Sequence, residues 1–472
     1  MPEITLIDLP YQSSLLPFFQ AIRHLPYPAM LDSNHEHFPD TQFDILVANP
    51  LARIHPKPHN TLIDWRDKVL YKLSDTDNPM ALLNELYTHI VQEDWAKNAP
   101  TDLPFTGGLL GYYGYESGHY VEQLPDSVNH DIQLDTLSMG LYGWVVVTNH
   151  PRRSTQLVIT PWCSLEESHS ILSLLQGAQQ TTDNHQGAAS EFRLHSRFTS
   201  NMSATSYAAK FDRVKAYIQA GDCYQVNLAQ RFSSTYHGDP LIAYQQLRAV
   251  CPTPFSAYLA LSPDQAILSH SPERFLLCDK GRIESKPIKG TIARGETPQA
   301  DKKNADTLLG SKKDRAENLM IVDLLRNDLG RTCLTGSIKV PSLFALESYA
   351  NVHHLVSTVE GSIGSRDQAI HVFHESFPGG SITGAPKIRA MQIIDELEPD
   401  ERSAYCGSIV YFSANGQMDS SITIRTLVAD QGNIHCWAGG GLVADSICEE
   451  EYQETFTKVG KLTHTLEHVF LK

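Results

Sequence analysis

No Cys-x-x-Cys pair occurs in this sequence. Its eight cysteines are scattered as Cys163, Cys223, Cys251, Cys278, Cys333, Cys406, Cys436 and Cys448. That pattern argues against a dithiol or zinc-ribbon role and for reduced, mostly buried thiols in a cytosolic protein. Basic charge is short: 38 Lys and Arg against 54 Asp and Glu give a formal net charge of -16. A nucleic-acid partner is therefore not expected. An anionic small substrate stays open, because a bound cation and a few local bases reverse the sign inside one pocket. No apolar run approaches membrane-spanning length, so no membrane partner is expected either. Glu3 and Asp8 precede any basic residue, which is not the pattern of a signal peptide. No His or Cys cluster suggests zinc.

What is present is the composition of a globular protein, 472 residues with 41% hydrophobic and 19% charged. That length suits one large domain or two to three ordinary ones. The polar stretch from Gln176 to about Ser190 reads as a linker or long loop. It divides an N-terminal subdomain, 1–175, from a larger segment, 198–472, with 176–197 between them.

In the first segment Phe43–Ala48 and Gly143–Thr148 read as buried strands, and Met80–Gln92 has helical spacing of Leu83, Leu86 and Ile90. Pro104–Gly114 is glycine-rich without the Gly-Lys-Ser/Thr ending of a phosphate loop, and suits close-packed strands. In the second segment a helix is predicted over 204–220, ended by Gly221. Tyr224–Gln230 then alternates as a strand, with Gln225 and Asn227 sharing one face. Paired amides on a strand are usually solvated, or else line a polar pocket. A single long helical stretch is predicted over 301–330, strands over 407–412, 421–426 and 434–437, and a final helix over 449–470.

The stretch Arg282–Thr291 reads as a short strand running into a Pro-Ile-Lys-Gly turn that holds Lys289 where the chain changes direction. Such a lysine is either a solvated surface group or an amine nucleophile with a lowered pKa. On the final helix Glu451, Glu454 and Lys458 fall on one face, apart from the apolar stripe of Val459, Leu462, Leu466 and Val469. Asp314 and Glu317 repeat the i,i+3 acidic spacing on another helix. The two acidic pairs are either solvated ion-pairing faces or, if they meet, an oxygen-only site that suits Mg²⁺. Arg425, in an otherwise apolar strand, is an acid's partner or a bidentate carboxylate clamp. Gly439-Gly-Gly441 offers backbone N–H groups for an anion nest, or a tight turn. His354 alone is more often a hydrogen-bonded histidine than a catalyst.

Several ordered motifs together resemble the chorismate-utilising enzyme family. They are Gly221-Asp-Cys-Tyr-Gln-Val-Asn-Leu, Ser271-Pro-Glu-Arg-Phe, Pro287-Ile-Lys-Gly-Thr, Asp314-Arg-Ala-Glu-Asn, Phe377-Pro-Gly-Gly-Ser-Ile-Thr-Gly-Ala-Pro-Lys and Gly441-Leu-Val-Ala-Asp-Ser. Anthranilate synthases usually carry alanine at the position of Lys289. Isochorismate and salicylate synthases usually carry a lysine base at the position of Gln225. Lys289 with Gln225 is similar to the members that aminate chorismate for p-aminobenzoate and folate biosynthesis. The alternatives kept open are an anthranilate synthase large subunit and a non-catalytic tryptophan- or chorismate-binding regulator.

The resemblance implies an α+β fold of two large, mainly antiparallel sheets packed face to face, with helices outside and the site between the sheets. By pattern alone a parallel sheet fits equally well. It also implies roles: Glu317 and Glu454 as Mg²⁺ ligands with Asp314 and Glu451 nearby; Arg425, Lys458 and Gly439, Gly440 and Gly441 as binders of the substrate carboxylates; Tyr411, Thr383, Gln225 and Asn227 in the pocket; Glu273 as acid-base, His354 assisting, and Lys289 as the nucleophile at C2. Ammonia is expected from a separate glutamine amidotransferase, since Cys223 does not sit on the glycine-flanked elbow that such an enzyme needs. Relatives hold tryptophan near the N-terminal sheet, and Ser33, Asp40, Thr41, Gln42, Phe43, Pro254, Phe255 and Ser256 match those walls.

Overall fold

Alternating apolar segments from both halves of the chain pair edge to edge into two antiparallel sheets in the computed structural model, which describes residues 3–38, 41–57, 60–74, 76–180, 191–349 and 352–471. One sheet has 13 strands and the other 11. Every strand pair within them is antiparallel, so the parallel alternative falls away. The strands predicted over 43–48 and 143–148 form as Phe43–Val47 and Trp144–Asn149 and lie side by side in the larger sheet, with Phe43 opposite Asn149. The glycine-rich segment forms the strand Gly108–Tyr113 of the smaller sheet. A Cβ on Gly111 would meet the Ser138 carbonyl oxygen at 2.0 Å, so close strand packing is its meaning.

The segments before and after residues 176–197 contribute strands to both sheets. Residues 176–180 close the helix Leu165–Gln180, and the rest of the expected linker up to 190 lies outside the described residues. One core mixes apolar residues of the two sheets, such as Ile45, Val145, Leu276, Ile409 and Val428. A second core packs the larger sheet against the helices Leu16–Ile22, Leu165–Gln180, Pro240–Val250 and Cys448–Phe470. Among the described residues no helix is long and apolar enough to cross a membrane. All eight cysteines are unpaired, half of them buried.

The helix Ala204–Ala220 starts on Ser203, whose hydroxyl accepts from the Ser206 amide, and stops on Gly221 at φ 82°. The long helical stretch expected over 301–330 is instead two helices, Pro298–Gly310 and Lys312–Gly330. Ser311 between them is extended and its hydroxyl accepts from the Asp314 amide at 3.2 Å, so a cap residue starts a fresh helix where periodicity read continuity. On the final helix Val459, Leu462 and Leu466 are buried as expected, while Val469 in its last turn is exposed.

The predicted strand over 421–426 is likewise broken. Strand Met418–Ile422 belongs to the smaller sheet and Thr426–Asp430 to the larger one. Thr423–Arg425 is the crossing between them, and Arg425 takes φ 50° there. A second crossing runs beside it, from Gln265–Ser271 in the larger sheet through Pro272 and Glu273 to Arg274–Asp279 in the smaller one. The two crossings are tied together: the Ile422 amide donates to the Glu273 carbonyl at 3.0 Å and the His270 amide to the Arg425 carbonyl at 3.1 Å.

Candidate active site

Both crossings put a charged side chain where the sheets join. Glu273 is buried, and burial pushes its carboxyl up to about 7 against the opposing effects of Lys289 and of a hydrogen bond from Ser381. Lys289 comes from the strand Ile288–Ala293. Burial lowers its ammonium below the ordinary lysine range, with Glu273 and Glu317 pulling the other way. Lys289 Nζ donates to the Ser381 carbonyl at 3.4 Å, and Ser381 Oγ donates to Glu273 Oε1 at 3.2 Å. One serine thus joins a weakened amine to a carboxyl that titrates near neutrality. Ser381 lies in the turn Gly380–Ile382, inside the Phe377–Lys387 motif.

Gly290 beside the lysine has φ 80°, and a Cβ there would lie 2.9 Å from the Asp314 Cγ. The turn therefore needs glycine for its conformation and for the approach of the helix Lys312–Gly330. His354 pairs opposite Thr291 on the neighbouring strand, its Nδ1 2.8 Å from Thr291 Oγ1. Burial and the charge of Arg425 bring its imidazole down to about 4, so it is neutral at pH 7. The Arg425 guanidinium has no hydrogen-bond or ion-pair partner among the described residues; the residue is exposed to solvent, and crowding by the surrounding protein lowers its pKa. No acid among the described residues pairs with it, which leaves the clamp as the reading carried forward.

Gly439, Gly440 and Gly441 are neither a nest nor a turn. They lie in the strand Asn433–Leu442, paired opposite Ala229, Leu228 and Asn227 with no left-handed backbone. Their missing side chains make room. A Cβ on Gly439 would meet Asn227 Oδ1 at 2.6 Å, on Gly441 the Gln225 Nε2 at 2.8 Å, and on Gly440 the Glu451 Oε2 at 2.7 Å. By strand alternation the two amides lie against one face of this strand and Glu451 against the other. Gln225 is 1% and Asn227 7% exposed. Among the described residues both side-chain polar atoms of Gln225, and Asn227 Oδ1, have no partner, so the amides are a buried polar surface rather than a solvated one. The Asn227 backbone N–H donates to the Thr383 carbonyl at 2.8 Å, which links this strand to the Ser381 turn. Thr383 itself is fully buried, its hydroxyl donating to the Gly379 carbonyl.

The carboxylates of the two helices sense each other. Burial, Asp314 and Glu451 raise the Glu317 carboxyl, while Lys289 and Lys313 lower it. Burial and Glu454 raise Glu451, against a 2.7 Å hydrogen bond from Ser446. Oxygen-only donors that repel one another suit a hard divalent cation in kind. They are not drawn to a common point: among the described residues no group of three His, Cys, Asp or Glu stands ready to hold a metal. Lys458 instead pairs with Glu454 at 2.5 Å and donates to the Gly439 carbonyl at 2.9 Å.

Tyr411 lies on the strand Ser408–Ser413, near Asp419 and Arg274. It lines a cleft of about 1220 Å³ with Ser33, Thr41, Gln42, Phe43, Pro254, Phe255 and Ser256. Asp40 lies outside the described residues. Ile288 also lines this cleft, next in sequence to Lys289.

Fold and site together define the class: the chain belongs to the chorismate binding enzymes, whose family model matches residues 51–464. Among curated relatives, the chain is 46% identical over 453 residues to the aminodeoxychorismate synthase component 1 of Escherichia coli (strain K12), covering 95% of each. It is 44% identical over 465 residues to that of Salmonella typhimurium, covering 98% of each. Among solved structures, anthranilate synthase component I from Streptococcus pneumoniae TIGR4 superposes with a TM-score of 0.77 at 29% identity, over 90% of this chain and 92% of that one.

Proposed function

We propose that this protein aminates chorismate with ammonia to 4-amino-4-deoxychorismate, the step that commits chorismate to p-aminobenzoate and folate. The observation that carries this reading is the Lys289–Ser381–Glu273 bridge, an amine of lowered pKa beside a carboxyl that titrates near 7. The names of the most similar relatives point to the same reaction.

In the mechanism Lys289 attacks C2 of the ring as a neutral amine. The ring double bonds shift and the C4–oxygen bond breaks. Glu273 gives its proton to the departing hydroxyl, which leaves as water. Ammonia then bonds to C4 while the C2–nitrogen bond breaks, returning Lys289 with its electron pair. The surplus proton on the new amine goes back to Glu273. The lysine adduct divides one hard substitution into two easier displacements. Arg425 and Lys458 hold substrate carboxylates, Gln225 and Asn227 face ring oxygens, and neutral His354 supports the strand that carries Lys289. Glu317, Glu454, Asp314 and Glu451 are the residues that would hold Mg²⁺, whose charge would neutralise a bound carboxylate.

Ammonia comes from a separate glutamine amidotransferase in this reading, in keeping with the wording component 1 in the relatives' names. We place the reaction in the cytoplasm, where unpaired thiols persist. The cleft lined by Ser33, Phe43 and Pro254 is proposed as a tryptophan pocket. Tryptophan released on denaturation and seen by mass spectrometry would support it, and calorimetry without binding would remove it.

The deciding experiment incubates the purified protein with chorismate, Mg²⁺ and ammonium at mildly alkaline pH and separates the products. Aminodeoxychorismate, converted to p-aminobenzoate by an added lyase, is the expected result. Anthranilate with pyruvate would overturn the amination reading.

A further inference from the structure

A second polar cluster lies along the edge of the strand Gln225–Gly238. Arg402 is 1% exposed. Its Nε and Nη2 donate to the two oxygens of Glu398 at 2.8 and 2.6 Å. Nη2 also donates to the Asn227 carbonyl at 2.8 Å, and Nη1 to the Ile382 carbonyl at 3.1 Å. Glu398 Oε1 accepts in turn from the Ala229 amide at 2.7 Å. The Arg402 amide is held by Glu116 Oε1 at 2.8 Å, and the Tyr115 ring lies 4.7 Å from the guanidinium.

The reason for this pair is a gap in a sheet edge. On that edge Gln225 and Val226 pair with Ala385 and Gly384, and Phe232 and Ser233 pair with Ser200 and Thr199. Among the described residues no strand pairs between these points. The Asn227 carbonyl and the Ala229 amide would be buried without partners, which costs free energy. Arg402 and Glu398 take the place of the missing strand. An apolar filler would meet neither group.

The segments they hold are those that carry the site. Asn227 and Gln225 present the unpartnered buried amides, and Ile382 follows the Ser381 that joins Lys289 to Glu273. We propose that Arg402 and Glu398 are positioning residues that keep the Gln225 and Asn227 amides and the Ser381 turn in one register for the reaction. The proposal rests on the amination reading. Neither residue touches the reacting atoms.

The test is Arg402→Lys in the full-length enzyme, assayed with chorismate, Mg²⁺ and ammonium. The variant keeps the charge, but one ammonium does not span Asn227, Ile382 and both oxygens of Glu398. A fall in kcat of about ten- to a hundred-fold is expected, the scale of a misplacement near 1 Å. The alkaline limb of kcat/KM is expected to move to higher pH as Ser381 loosens from Glu273. The charged and titratable groups that face Glu273, Lys289 and Cys406, are the same in the variant. Glu398→Gln keeps the volume and an acceptor for Ala229, and stands in if Arg402→Lys does not fold. It is expected to move the same limb in the same direction with a smaller loss. A folded variant with a lowered Tm but wild-type kcat, KM and pH limbs overturns the proposal, because a purely structural pair would give that result. If the wild type releases anthranilate, the amination reading fails on its own, and anthranilate turnover of the same variants then decides the positioning role.

Discussion

Lys289 and Glu273 meet through the two ends of Ser381: the lysine donates to its carbonyl oxygen and its hydroxyl donates to the carboxyl. An amine that must be neutral and an acid that must be protonated are thus kept close without a direct ion pair, which would hold both in their charged forms. Lys289→Ala is expected to remove ammonia-dependent turnover by about three orders of magnitude or more, since a nucleophile has no substitute. Product chromatography measures the loss. Intact-mass analysis of rapidly quenched wild type is expected to show an adduct on this lysine. Near wild-type turnover in the variant with no adduct in the wild type would refute the assignment.

Glu273 gives a pH signature. In the proposed mechanism it acts as an acid, and burial pushes its carboxyl up to about 7, so kcat/KM is expected to fall as pH rises through that value. Stability follows the same sign. The folded-state pKa is raised above the ordinary 4.5, so the group's contribution is full below pH 4.5 and is lost as pH rises through about 7. Glu273→Gln removes that dependence and is expected to lower kcat by about 10²- to 10⁴-fold. Thermal melts of both proteins at pH 5.5 and 8 check it: the drop between the two is expected to be smaller in the variant.

Arg425 is held at a sheet crossing with its guanidinium unpaired among the described residues. Arg425→Ala removes a charge-assisted contact worth about 1.5–3 kcal/mol and is expected to raise the KM for chorismate by about ten- to a hundred-fold. Arg425→Lys, lacking the planar fork, is expected to recover only part of that. An unchanged KM in both would exclude the clamp.

Gly290→Ala tests the turn. The left-handed backbone costs a non-glycine residue about 1–2 kcal/mol, and the added methyl meets Asp314. A modest fall in Tm is expected with a disproportionate fall in kcat, because the strain falls on the residue next to Lys289. Equal small effects on both would place Lys289 outside the chemistry.

Metal removal tests the carboxylates. Chelation with EDTA is expected to abolish turnover and Mg²⁺ to restore it. In Glu317→Gln and Glu454→Gln the half-saturating Mg²⁺ is expected to rise about tenfold or more. The thermal shift produced by Mg²⁺ on the protein without substrate is expected to shrink with it. Full activity in EDTA would exclude the ion.

Local pattern was enough for much of this protein. Apolar runs marked 43–48 and 143–148 as buried strands, within a residue of the observed Phe43–Val47 and Trp144–Asn149, and i,i+3 spacing placed Glu451 with Glu454 and Asp314 with Glu317 on helix faces, because such patterns depend on local sequence and backbone geometry. Glycine and proline around Lys289 signalled a turn, because they limit φ locally. Tertiary structure alone decided what those segments meet. Ser381 is 92 residues from Lys289 and 108 from Glu273, so no spacing joins them. Arg425 read as a strand residue because its flanks are apolar, yet the chain leaves one sheet for the other there. Gly439 to Gly441 read as a nest because glycine permits left-handed turns; the close approach of Asn227, Gln225 and Glu451 requires them in a strand instead. Arg402 and Glu398 gave no signal at all, since the need they meet is a gap in hydrogen bonding that exists only once the sheet has formed.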